Sequence, residues 1–149
     1  MTIKQKIHQH YQQLVQDRID VFRDMIAALS EDSKNDAKGS AGDKHETALS
    51  MMHLEQEKLN YKLREIMEQK VIMDKISDVP ILGKIGLGSL VVANGIHLYV
   101  SCALPKITVD GISVIALSPQ SPLGVNLMGK GNDHSFQING TSYNIESIQ

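Results

Sequence analysis

Lys34–Glu46 reads KNDAKGSAGDKHE, and how it is read decides the fold. It holds three lysines, two glycines and the pair Asp43-x-x-Glu46, and a long segment of apolar periodicity lies on each side. Before it, Val15, Ile19, Phe22, Ile26 and Leu29 follow at steps of four and three, and Ile7 and Tyr11 extend the stripe toward the start. After it, Leu49, Met52, Gln56, Leu59, Leu63, Ile66, Lys70 and Met73 repeat the pattern, with polar Gln56 and Lys70 as interruptions that can set register. These are narrow a/d seams. Two seams joined by one loop predict an antiparallel coiled-coil hairpin over residues 1–78, its first helix at Ile3–Leu29 and a tip loop over 32–46. About 25 residues of helix span roughly 35–40 Å. A compact bundle is the alternative reading, but no other long helical pattern is present to complete one.

Residues 1–78 carry 12 of the 15 Lys/Arg and 14 of the 17 Asp/Glu, so the chain splits into a charged and a nearly uncharged part. Asp78-Val79-Pro80 marks the boundary, because proline disfavours helix in the residue before it. Beyond it, Asn94-Gly95, Asp110-Gly111 and Asn139-Gly140 each separate two short apolar-alternating runs, the strongest short signal for a β-hairpin. Six strands are predicted, near 89–93, 96–102, 106–109, 112–117, 134–138 and 141–148. Between the fourth and fifth, Ser121-Pro122 suits a helix N-cap and first position, and Gly129 suits the residue after the end. Residues 79–149 therefore predict a small antiparallel sheet with one short helix, and the chain an α+β fold.

Composition narrows the function. Ile85–Leu104 has no Asp, Glu, Lys or Arg, yet Gly86, Gly88 and Asn94-Gly95 break it, so a soluble hairpin is expected rather than a membrane span. A formal net charge of −2 argues against general nucleic-acid affinity of the counterion-release kind, and no sequence-specific DNA binding is expected. The single Cys102 permits no internal disulfide and fits a buried thiol in a reducing, cytoplasmic setting, and the polar start MTIKQKIHQHYQQ has no secretory apolar core.

The pieces also resemble a known family. Gly42-Asp43-Lys44-His45-Glu46 stands between two coiled-coil segments, and Gly88-Ser89-Leu90-Val91-Val92 opens the β part. Ser121-Pro122-Leu123-Gly124 and Leu127-Met128-Gly129-Lys130 follow near the end. In that order and at these distances the chain resembles the bacterial Gre transcript-cleavage (transcription elongation) factors over nearly its whole length. The resemblance implies an FKBP-like C-terminal domain that docks on RNA polymerase and a hairpin that enters its secondary channel. It further implies that Asp43 and Glu46 match the two tip acids that help hold magnesium while polymerase hydrolyses a backtracked transcript. Polymerase and, through it, the nascent RNA 3′ end are the implied partners. The chain would stimulate polymerase rather than act as an enzyme itself. Family members usually carry Leu-Lys between the acids and Asn after the Glu, where this chain has Lys44, His45 and Thr47; Asn132-Asp133 stands near the usual Gly-Asp.

Bottom-up chemistry leaves two roles open for the acids. Magnesium prefers six oxygens in octahedral array, commonly one or two carboxylates with waters and phosphates, so Asp43 and Glu46 would complete a shared site rather than form one alone. They equally fit a capping box, N-cap and third helical residue. Lys34, Lys38 and Lys44 are candidates for contact with RNA phosphate or polymerase acids, or ordinary solvated charges. His8 and His10 are two apart, hence on different sides of a helix and a poor metal pair; His45 has no assigned task. Met51, Met52, Met67 and Met73 read as seam filler. Three rival functions remain: a regulator that occupies the channel without cleavage, a coiled-coil scaffold, and a prolyl isomerase, for whose concave aromatic pocket only Tyr99, Phe136 and Tyr143 are available.

Overall fold

The structure, a computed structural model, describes residues 1–38, 43–76 and 83–149, with the side chains of 33–38 and 43–45 excluded. The predicted boundary at Asp78-Val79-Pro80 lies outside the described residues. Two compact units divide the chain, one built from Met1–Gln12 with Val71–Gln149, the other from Gln13–Lys70.

Helices α1 (Ile3–Lys38) and α2 (Asp43–Lys75) make up the helical unit and lend the other unit their outer turns. At the start of α1, the Thr2 amide donates to Gln5 Oε1 at 2.9 Å and the Gln5 amide to Thr2 Oγ1 at 3.1 Å. This reciprocal cap satisfies two of the amides a helix start leaves without partners. Helix α1 runs further than the sequence predicts. The loop expected over 32–46 is corrected accordingly: α1 continues through Lys38 and α2 opens at Asp43. Once a helix is nucleated each added residue gains a hydrogen bond at little cost, so a polar composition alone does not end it.

The seams hold. Val15 and Ile19 of α1 and Leu59 and Ile66 of α2 are buried, and Phe22, Ile26, Leu29, Leu49, Met52, Gln56 and Leu63 are half-buried. Off the seam, Val21, Met25, Leu54 and Tyr61 are exposed. The methionines divide the same way: Met52 and Met73 are shielded, whereas Met51 and Met67 are exposed, which corrects their reading as seam filler. Position, not residue type, decides, because 51 and 67 fall between the steps of three and four.

The other unit is a six-stranded mixed sheet in the order β3-β4-β2-β1-β6-β5. Its strands are β1 (Leu90–Ala93), β2 (Ile96–Val100), β3 (Ile107–Val109), β4 (Ile112–Leu117), β5 (Ser135–Ile138) and β6 (Thr141–Ile148). All three expected hairpins form. Their turns place Asn94, Asp110 and Asn139 at φ near 50° and the following glycines at φ 73–81°, the paired left-handed conformation that Asn-Gly and Asp-Gly favour. The all-antiparallel expectation is corrected at one place: β2 and β4 run parallel, His97 opposite Val114 and Tyr99 opposite Ala116. Turn chemistry fixes pairing within a hairpin but not between hairpins. Here β4 rather than β3 lies beside β2, which makes that junction parallel.

Strand alternation gives the sheet two apolar faces. On one, Leu98, Val100, Val91, Ala93, Ile145 and Leu117 meet Ile85 and Leu127 in the core. Leu127 comes from helix α3 (Pro122–Leu127). On the other, Tyr99 meets the first turns of α1, where Ile7 and Tyr11 are fully buried. Among the described residues no helix is long and apolar enough to cross a membrane.

Candidate functional site

Asp43 and Glu46 fall three residues apart in the first turn of α2, which places them on neighbouring positions of one helix side. Glu46 is exposed, and a carboxylate in a first turn interacts favourably with the helix dipole. Asp43 opens the helix by its backbone; its side chain is outside the described residues, as are those of Lys44 and His45. Lys34 and Lys38 belong to the end of α1, and their side chains are likewise not described. No group of three His, Cys, Asp or Glu side chains able to hold a metal ion occurs among the described residues.

The block from Ser118 to Lys130 has a local explanation at nearly every position. Ser121 caps α3 through its side chain, which accepts from the Gly124 amide at 3.0 Å and donates to the Ser118 carbonyl at 2.7 Å. Pro122 takes the first helical position, where a missing N–H costs nothing. Gly124 is held against the preceding turn so closely that a Cβ would lie 2.0 Å from the Ser118 carbonyl oxygen, which excludes any side chain. Leu123 packs on the core. Gly129 sits at φ 77°, and its amide donates to the Ile85 carbonyl at 2.8 Å. The Lys130 carbonyl accepts from the Ile85 amide at 2.9 Å, while the Lys130 residue stays exposed. Asp133 at φ 66° makes the turn that precedes β5. The block is therefore a folding device, and Gln120, Pro122, Val125, Gly129 and Lys130 are its exposed members. It belongs to the sheet unit, whereas the acids belong to the helical unit.

A cluster the sequence reading did not assemble ties α1 to the sheet. The Tyr99 hydroxyl and His8 Nδ1 are 2.7 Å apart, and Tyr11 stacks on Tyr99 with ring centres 6.1 Å apart and planes 3° from parallel. The Tyr11 hydroxyl donates to the Pro105 carbonyl at 2.8 Å, and Lys6 pairs with Asp110 at 2.7 Å. Burial, with the Cys102 thiol nearby, pushes Tyr11 up to about 12; burial alone pushes Cys102 up to about 11. Both groups thus stay protonated and chemically quiet near neutrality. Spacing held part of the signal, since Ile7 and Tyr11 continue the seam. What it lacked was any mark that these two positions face a sheet.

The three aromatics of the isomerase reading are not brought together. Tyr99 is fully buried under α1, whereas Phe136 and Tyr143 stack on each other at 5.3 Å beside the core on the opposite face.

No protein-family model matches the chain, and no curated protein matches it.

Proposed function

We propose that the protein is a transcription elongation factor of the Gre kind, which binds RNA polymerase and stimulates cleavage of backtracked transcripts. One observation carries this reading: two acids three residues apart open the second of two long helices, and the sheet unit with its Ser-capped α3 block follows in the chain. On this reading the helices form a coiled-coil hairpin, the sheet unit is FKBP-like and docks on polymerase, and the tip enters the secondary channel. The setting is the cytoplasm.

Asp43 and Glu46 would hold magnesium jointly with polymerase and RNA oxygens, since two carboxylates supply only part of the six-oxygen shell magnesium prefers. When bound, such an ion activates water and stabilises the leaving oxygen. The chain's own contribution is to present two carboxylates on one helical turn. Lys34, Lys38 and Lys44 would meet RNA phosphate or polymerase acids around them. The protein itself is then not an enzyme, and polymerase performs the hydrolysis.

Lys44, His45 and Thr47, which depart from the family pattern around Glu46, favour a second reading in which the tip occupies the channel without promoting cleavage. One assay separates the two. Purified protein is added to a stalled, backtracked elongation complex: shortening of the RNA supports the first reading, and binding with unchanged RNA supports the second. Failure to bind polymerase removes both.

A further inference from the structure

We draw no further inference here: the strongest candidate, the apolar groove at the β2–β4 end of the sheet where Ile96, Ile112 and Ile115 lie beside Lys106, is an uncovered face, and nothing in the structure shows what covers it.

Discussion

The sheet unit and the helical unit hold together by different means. In the first, contacts join residues far apart in the chain: His8 with Tyr99, Tyr11 with Pro105 and Lys6 with Asp110. Gly124 and Gly88 allow close approach between neighbouring segments, and a Cβ on Gly88 would come within 2.7 Å of Ile76. In the second, side-chain polar contacts such as Gln13 to Asp17, Gln16 to Asp20 and Lys62 to Glu65 run along single helices, and the buried positions are the apolar stripe of Val15, Ile19, Leu59 and Ile66. One heptad stripe thus contributes to both units. Ile7 and Tyr11 share a stripe with Val15 and Ile19, yet the first pair is grouped with the sheet and the second with the helix pair.

The largest expected effect follows from removing the ring that seals the sheet. Tyr11→Ala deletes a fully buried aromatic and should cost about 3–5 kcal/mol, read as a lower melting temperature and loss of the near-ultraviolet tyrosine signal. Tyr11→Phe keeps the stack and drops the hydroxyl's bond to the Pro105 carbonyl and its longer contact with the Val114 carbonyl, so about 1 kcal/mol is expected. A Tyr11→Ala chain that melts like the parent would remove α1 from the sheet's core.

Next comes the seam. Ile19→Asp buries an unpaired charge and should cost roughly 3 kcal/mol, seen as early loss of the far-ultraviolet helix signal. The tyrosine signal of the sheet unit should outlast it. If both signals collapse together, the two units are energetically one and the contrast fails.

Within the sheet unit, alkaline pH acts on Cys102 and Tyr11. Cys102 and Tyr11 hold their protons more tightly folded than unfolded, so the unfolded chain releases them first and stability falls as pH rises. The thiol's contribution is intact below its ordinary 9.0 and lost through about 11; the phenol's is intact below 10.0 and lost through about 12. Each is worth on the order of 3 kcal/mol at most. Cys102→Ala should flatten the melting temperature between pH 9 and 10. An unchanged slope there would mean the thiol does not contribute.

The smallest effects lie at special backbone and open surface. Gly129→Ala at φ 77° should cost about 1 kcal/mol by chemical denaturation. Val21→Ser, exposed and off the seam, should stay within about 0.5 kcal/mol. A loss at Val21 equal to that at Ile19 would show that the seam is drawn on the wrong side of α1.

Much of this fold is written locally in the sequence. Asn94-Gly95, Asp110-Gly111 and Asn139-Gly140 specify their hairpins because few other pairs adopt two left-handed residues in succession. Ser121-Pro122 and Gly129 bracket α3 for similar reasons of backbone geometry. The parallel register of β2 with β4 was not legible, because it depends on how hairpins pack and no turn records that. Nor was the His8–Tyr99–Tyr11 cluster, whose members are remote in the chain and ordinary in type. The acids of the candidate site were readable as a spacing, Asp43-x-x-Glu46, but a capping pair and a metal-sharing pair have the same spacing. Charge, not geometry, distinguishes those roles.

Asp43→Asn with Glu46→Gln uses that distinction. Asn and Gln keep the size and hydrogen-bonding shape of the two first-turn acids, so the fold should survive with a loss of about 0.3–1 kcal/mol per charge from the helix dipole. The decisive measurement is RNA shortening in a backtracked polymerase complex, parent beside double variant. The account predicts that the parent shortens the transcript, while the variant folds, binds polymerase, competes with the parent and leaves the RNA intact. A variant that cleaves as well as the parent would reduce the two acids to first-turn charges of α2 and contradict the proposed function.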